Sequence, residues 1–362
     1  MDTLARLPIP GVLRRHSPVA MFFAGVLFDF LTMQRIDAWT DLTIQALYLI
    51  AIALLLVLQH RQAMGMWSPA WITARWWSYN LEVLHFLYGG LLSASVVLYV
   101  RSSTAARSTT FLILLVGVMV LNELPRVRKA GYGLRLGLYG FCVLSFLNYF
   151  VPIVLGRMGT WVFMLALALA AALVWHLTMW LTQGDGDHRG GRLKLFAPAA
   201  GVFALIFILY VLRLIPPVPL SVQFQGIYHD IRREGGNYTL MYARPDWMVW
   251  RRDSRPFARR DGDRVHYFTR IFAPAGFSHQ VIVRWEVFDT TTQAWSTTDR
   301  IALSITGGRA EGFRGVAVKS NFMAGLWRVT AETEDGRAIA TLSFDVTDDT
   351  SERERSWRVL SS

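Results

Sequence analysis

The chain has 362 residues, of which 53% are hydrophobic and only 17% charged, with a mean hydropathy of +0.32. A soluble domain carries about a quarter charged residues, so a single soluble globule is excluded. The lone cysteine, Cys142, excludes an intramolecular disulfide and zinc sites built on several cysteines. The net charge of +11 is unevenly spread: 17 Lys/Arg stand against 8 Asp/Glu up to Ile215, and 20 against 18 after it. A basic surplus confined to the apolar part points to membrane orientation. Nucleic acid is not an expected partner, because the densest basic run, "RRDSRPFARRDGDR" at 251–264, is interleaved with three aspartates.

A membrane helix needs about 20 apolar residues. Seven segments answer to that, at 18–35, 39–59, 81–100, 109–123, 136–156, 160–182 and 195–215. The first follows a basic arm that resembles a signal peptide but lacks a small-x-small cleavage site, so it reads as a retained first span. With the N-terminus inside, the inner segments carry 12 Lys/Arg and the outer loops 4; deleting the short fourth segment reverses the asymmetry. Seven spans with a cytoplasmic N-terminus and an outer C-terminal part therefore fit the positive-inside rule. In a bacterium that is an inner-membrane protein with a periplasmic C-terminal domain, and the lipid bilayer is its first partner. Between the second and third spans, "RQAMGMWSPAWITARWWSYN" at 61–80 holds four tryptophans and reads as an interfacial turn or short helix.

Ionisable and polar groups inside such spans are functional candidates. Glu82 and His85 open the third span and share a helix face, Asn122 and Glu123 close the fourth, and His176 lies near the inner end of the sixth. One Glu-x-x-His is half of a di-iron site and no second copy exists, so no metal and no cofactor is expected. Toward the other leaflet lie Asp29 and Arg213, about 6 Å apart in depth. They are expected to bridge the first and last helices; otherwise Arg213 snorkels to the headgroups and Asp29 bonds a neighbour such as Asn148.

At "RLIPPVPLSV", 213–222, the pattern changes. Pro216 is expected to stop the seventh helix, and the prolines to form a stiff extended spacer of about 12 Å. Beyond it, period-two alternation marks strands with one buried face. Val281, Val283, Trp285 and Val287 share a face, as do Ile301, Leu303 and Ile305, then Trp327, Val329 and Ala331, then Ala338, Ala340, Leu342, Phe344 and Val346. "YTLMYA" at 238–243 and "RVHYFTRIF" at 264–272 are earlier strands, and "EDGR" at 334–337 is a hairpin turn. Six or seven strands in about 130 residues suggest an all-β, immunoglobulin-like antiparallel sandwich. The expected organisation is a seven-helix transmembrane domain at 1–215, a rigid connector at 216–222, a β-sandwich at 223–349 and a charged flexible tail at 350–362.

Several stretches resemble a family of uncharacterised bacterial membrane proteins whose C-terminal module is known as domain of unknown function 2914. They are "GVLFDFLTMQRID" at 25–37, "GGLLSASVVLYVRSS" at 89–103, "VLNE" at 120–123, "IPPVPLS" at 215–221, "GIYH" at 226–229, "FAPAGF" at 272–277, "GGRAEGFRG" at 307–315 and "GLWRV" at 325–329. The resemblance implies a membrane region joined to a small β domain, and no established activity. Val283 stands where that family often carries histidine, so no role of that histidine transfers.

In the outer domain "GGRAEGFRG" concentrates four glycines and two arginines, Arg309 and Arg314, whose forks suit a carboxylate or phosphate unless they brace a bulged hairpin. With Trp285 and Trp327 they are the candidate ligand contacts. His229, His266 and His279 have no metal-ligand spacing, and no catalytic constellation stands out. The leading expectation is a membrane-anchored binding or scaffold protein that displays the sandwich to a protein or envelope-polymer partner. A transporter or lipid-handling protein using the polar groups of the bundle is the alternative, and a membrane-embedded enzyme on lipid-linked substrates the third.

Overall fold

The computed structural model describes residues 17, 20–28, 38–101, 117, 131–183, 190–308, 312–351 and 354–362. Contacts divide the chain into two compact units. One is helical, running to Leu214, and the other is β-rich, comprising Ile215–Ser362 with the turn Leu155–Gly159.

In the helical unit residues 20–28 are helical, followed by α1 (Trp39–Ala63), α2 (Trp71–Trp77), α3 (Asn80–Arg101), α4 (Tyr132–Leu155), α5 (Thr160–Leu181) and α6 (Gly190–Val211). Among the described residues four helices, α1, α4, α5 and α6, are long and apolar enough to cross a membrane. The expected third span is helical as α3, the expected fourth at 109–123 lies outside the described residues save Gly117, and 18–35 is described only in part. The tryptophan-rich loop does hold a short helix, α2. Apolar side chains face outward along these helices, among them Leu47, Ile50, Leu54, Leu169, Leu173 and Ile208, which suits a lipid surround. Where two helices need close approach, glycine supplies it. A Cβ on Gly25 would sit 2.2 Å from the Phe86 carbonyl oxygen, and one on Gly89 would sit 2.1 Å from that of Phe22.

Two helix ends use the same hydrogen-bond pattern with different residues. After α1 the Gly65 N–H bonds the Gln62 carbonyl and the Met66 N–H that of Arg61, with Gly65 at φ +70. After α6 the Arg213 N–H bonds the Tyr210 carbonyl and the Leu214 N–H that of Leu209, with Arg213 at φ +57. Both are Schellman caps, in which a left-handed residue satisfies the last carbonyls. The expectation that Pro216 stops the last helix is therefore corrected: α6 ends at Val211, on its own cap. The expected extended spacer is corrected too. The Leu220 N–H bonds the Pro217 carbonyl in a turn, and residues 215–220 are buried, with Leu220 in the apolar core of the β-rich unit. Three apolar side chains among three prolines gain more from burial than from a solvated extended chain.

The β-rich unit has strands β1 (Ser221–Tyr228), β2 (Asp230–Glu234), β3 (Asn237–Tyr242), β4 (Phe257–Arg259), β5 (Val265–Phe272), β6 (Ser278–Asp289), β7 (Ala294–Thr306), β8 (Phe313–Lys319), β9 (Gly325–Thr333), β10 (Ala338–Asp348) and β11 (Arg358–Ser361). They form three sheets, ordered β1-β5-β8, β4-β10-β9-β6-β7 and β11-β3-β2. All pairs are antiparallel except β4 with β10. The main core lies between the first two sheets: Ile227, Val265, Tyr267 and Ala317 from one meet Val283, Trp285, Trp327, Val329, Leu342 and Phe344 from the other. The third sheet covers the opposite face of the first, where Phe224, Tyr228 and Phe268 pack with Leu240, Tyr242 and Leu360. β5 is thus buried on both faces, which is why its sequence shows no clean alternation.

Two further expectations change here. The segment "GGRAEGFRG" is no hairpin, because β7 and β8 belong to different sheets and the chain crosses between them. The expected flexible tail is docked: β11 pairs with β3, and the Leu360 side chain reaches the third core. A four-residue strand burying one large side chain is below what periodicity can register.

Candidate functional site

Of the candidates, Asp29, Asn122, Glu123 and Arg309 lie outside the described residues, and with Asp29 so does the expected bridge to Arg213. Glu82 accepts a hydrogen bond from the Ser17 hydroxyl at 2.8 Å, and His85, one turn on, is buried. Among the described residues no group of three His, Cys, Asp or Glu could hold a metal ion. The Asn148 amide faces the Tyr99 hydroxyl at 3.5 Å, and His176 Nε2 accepts from Trp180 Nε1 at 3.0 Å one turn later. Arg213 is exposed at its helix cap. These residues do not converge on one point. A polar cluster missed by sequence reasoning does form, joining Gln59, Asn80 and Arg135.

In the β-rich unit the ligand-contact expectation is corrected for both tryptophans. Trp285 is 0% exposed and Trp327 2%, both in the main core, so they have no surface to offer. Trp327 Nε1 donates to the Met323 carbonyl, while Trp285 Nε1 has no acceptor among the described residues. Arg314 is committed as a brace, donating from Nη1 to the Gly236 carbonyl at 2.9 Å in the β2–β3 turn.

The second sheet carries an ion ladder on its outer face. Arg284 bonds Glu286 through Nη1 and Glu332 through Nε, Arg300 bonds Glu332, and Arg328 bonds Glu286 at 2.8 Å while lying 4.2 Å over the Trp295 ring. Both carboxylates are buried, each held by two arginines. Alternation on β6 and β9 places these residues opposite the core face, yet their pairing is a tertiary fact.

A second buried cluster centres on His229. Its Nε2 lies 3.3 Å from the Ala258 carbonyl, which can only accept, so Nε2 carries the proton. Nδ1 then accepts from the Ser254 hydroxyl at 2.9 Å, and the ring stacks on Phe257 at 4.0 Å. Burial pushes the His229 pKa down to about 4, against the Ala258 hydrogen bond. Ser254 is 0% exposed, so this Ser–His contact is structural and no nucleophile for a substrate.

Beside it opens a cavity of about 430 Å³, lined in part by Phe224, Gln225, Trp250, Arg251, Arg252 and Asp253. Asp253 is only 4% exposed; its Oδ2 accepts from Arg255 Nε at 2.5 Å, and its Oδ1 has no partner among the described residues. Burial raises the Asp253 carboxyl above its ordinary value, against the pull of Arg255. Trp250 and Trp247 are about two-thirds exposed and meet edge to face at 5.7 Å. The run "RRDSRPFARRDGDR" at 251–264 was legible as mixed charge, but its start was not legible as a cavity wall, because Phe224 and Gln225 come from β1.

Residues 278–346, from the start of β6 into β10, match the family described as Protein of unknown function (DUF2914). That match covers β6 to β10 and with them the whole ion ladder. No curated protein matches the chain. Among solved structures, the Pseudomonas fluorescens alkylpurine DNA glycosylase AlkC bound to DNA containing an abasic site analog is 11% identical, over 83% of this chain and 96% of that one. Its TM-score of 0.21 is too low for a shared fold, and it carries no argument.

Proposed function

We propose that the protein is a membrane-anchored binding protein whose β-rich unit holds an acidic envelope polysaccharide. The observation that carries this reading is the buried, unpartnered Asp253 Oδ1 in a cavity that also presents Trp250, Arg251 and Arg252. A sugar ring stacks on an exposed indole, its hydroxyl donates to the waiting carboxylate oxygen, and its acidic substituents meet the arginines. A simple polyanion would use the arginines and leave Asp253 repulsive. The reading takes seven spans, a cytoplasmic N-terminus and a periplasmic β unit as its frame, supported by the four apolar helices and the charge of the loops. It also takes the β unit as immunoglobulin-like. A three-stranded sheet β1-β5-β8 faces β10-β9-β6-β7, β4 runs parallel beside β10, and a buried tryptophan, Trp285, sits on β6. Sandwiches of this kind often bind partners, which is analogy from fold.

Co-sedimentation of the purified full-length chain with peptidoglycan sacculi tests it, with heparin as a charge-only control. Asp253→Asn and Trp250→Ala are expected to weaken binding to sacculi about tenfold or more, and to spare binding to heparin. Absence of binding by the parent chain, or binding unchanged in both variants, overturns the reading.

A further inference from the structure

The C-terminal end of α1 and the N-terminal ends of α3 and α4 line a second, open cavity of about 310 Å³ in the helical unit. Gln59, Gln62, Asn80, Leu81, Tyr132 and Arg135 line it. Its hydrogen bonds run in one direction. Arg135 Nη1 donates to Gln59 Oε1 at 3.0 Å, Gln59 Nε2 to Asn80 Oδ1 at 2.6 Å, and Asn80 Nδ2 to the Trp77 carbonyl at 2.6 Å. Trp77 Nε1 in turn donates to Gln62 Oε1 at 2.6 Å. Each side-chain carbonyl oxygen of the wall is therefore already accepting. The N–H groups not used in these bonds belong to the Arg135 guanidinium, the Gln62 amide and the second N–H of each of Gln59 and Asn80. No carboxylate pairs with Arg135 among the described residues; its guanidinium lies 5.5 Å over the Tyr132 ring. The first turn of α4, which holds no acidic residue, adds the positive end of a helix dipole.

A cavity rich in N–H donors, with a guanidinium that meets no carboxylate among the described residues, suits an oxyanion. Its rim supplies the depth. Trp77 packs edge to face with Trp67 at 4.9 Å and Trp76 is 77% exposed, which is how tryptophan sits at the headgroup level of a bilayer. We infer that this cavity is a phosphate-binding site, filled by the headgroup phosphate of an anionic phospholipid. The site is independent of the polysaccharide reading, since it uses no residue of the β-rich unit.

The test uses the full-length chain in phosphatidylcholine nanodiscs that contain a minor share of phosphatidylglycerol. Native mass spectrometry counts the phosphatidylglycerol molecules that stay bound after release. Arg135→Gln is expected to lower that retention about tenfold, the loss of one charge-assisted hydrogen-bonded contact, and Arg135→Lys to restore part of it. Gln62→Leu, at an exposed rim position whose side-chain oxygen accepts from Trp77 Nε1, is expected to lower it several-fold, and it decides the matter if Arg135→Gln fails to fold by circular dichroism. Millimolar inorganic phosphate distinguishes the source. If it neither stabilises the protein nor displaces phosphatidylglycerol, the phosphate is the lipid's. If it stabilises the parent chain but not Arg135→Gln and displaces the lipid, the site takes free phosphate and the lipid assignment is overturned. Equal phosphatidylglycerol retention by the parent, Arg135→Gln and Gln62→Leu, with no response to inorganic phosphate, removes the site altogether.

Discussion

Arg355 grips Asp263 with both arms of its guanidinium, Nη1 to Oδ1 at 3.0 Å and Nη2 to Oδ2 at 2.7 Å, across 92 residues of chain. The same Nη2 reaches the Ala258 carbonyl at 2.7 Å, and the next aromatic residue, Trp357, lies edge-on to His229 at 5.2 Å. Burial alone would raise the Asp263 carboxyl, but the Arg355 fork and the Arg260 N–H hold it below its ordinary value. The C-terminal segment is thus a clamp on the β-rich unit.

Arg355→Ala is expected to cost the β-rich unit about 2 kcal/mol, because a bidentate charge-assisted pair is lost and Asp263 keeps only the Arg260 N–H. Limited proteolysis of the full-length chain is the measurement: cleavage within 350–362 should accelerate in the variant. Equal cleavage rates would return this segment to a loose tail.

His229 makes the same unit acid-sensitive. Its folded pKa, about 4, lies below the ordinary histidine value of 6.5. Its contribution is therefore complete above about pH 6.5 and is lost as pH falls from there toward 4. Linkage gives a loss of about 2 kcal/mol at pH 5 relative to neutral pH. His229→Gln should flatten that part of the stability profile, read by denaturant unfolding at pH 7.5 and pH 5. Half-buried His266, also shifted down by burial, adds a slope of the same sign.

The ion ladder predicts non-additivity. Removing Glu332 leaves the Arg300 guanidinium without its partner and Arg284 with only Glu286, at a cost of about 3 kcal/mol. Glu286→Ala should cost a similar amount. Because Arg284 serves both, the double variant should be more stable than the sum of the two losses by about 1 kcal/mol. Strict additivity in a double-mutant cycle would mean that the ladder does not act as a unit.

Arg213 occupies a cap position that glycine fills at the end of α1. Arg213→Gly should be neutral to stabilising, and Arg213→Val destabilising by about 1–2 kcal/mol, since a β-branched residue tolerates positive φ poorly. Thermal unfolding in detergent reads the difference. A harmless valine would contradict the left-handed cap.

Much of this architecture was readable in advance, in proportion to how local its cause is. The strands at 278–289, 294–306, 325–333 and 338–348 follow from alternation, and α1, α4, α5 and α6 from unbroken apolar length. The pattern that put Trp285 with Val281 and Val283 also gave its burial, and should have removed it from the ligand contacts. What stayed hidden depends on partners far apart in sequence. Gln59 meets Arg135 76 residues away, and Arg355 meets Asp263 over a longer gap still. β2 and β4 are short, and β1 carries a register shift between Val222 and Phe224, so period two does not reveal them. Pro216, Pro217 and Pro219 suggested an extended spacer because proline stiffness is local, while the burial of Ile215, Val218 and Leu220 is not.

That buried joint has a consequence for the life of the protein. Two-unit chains are usually severed between their units, where a protease finds an accessible, unstructured strand. Here residues 215–220 are folded away, and the exposed residues just before them, Val211 to Arg213, are held in a hydrogen-bonded helix cap. A protease gains little purchase there, so the β-rich unit resists being severed from the helical unit and the two stay at equal concentration.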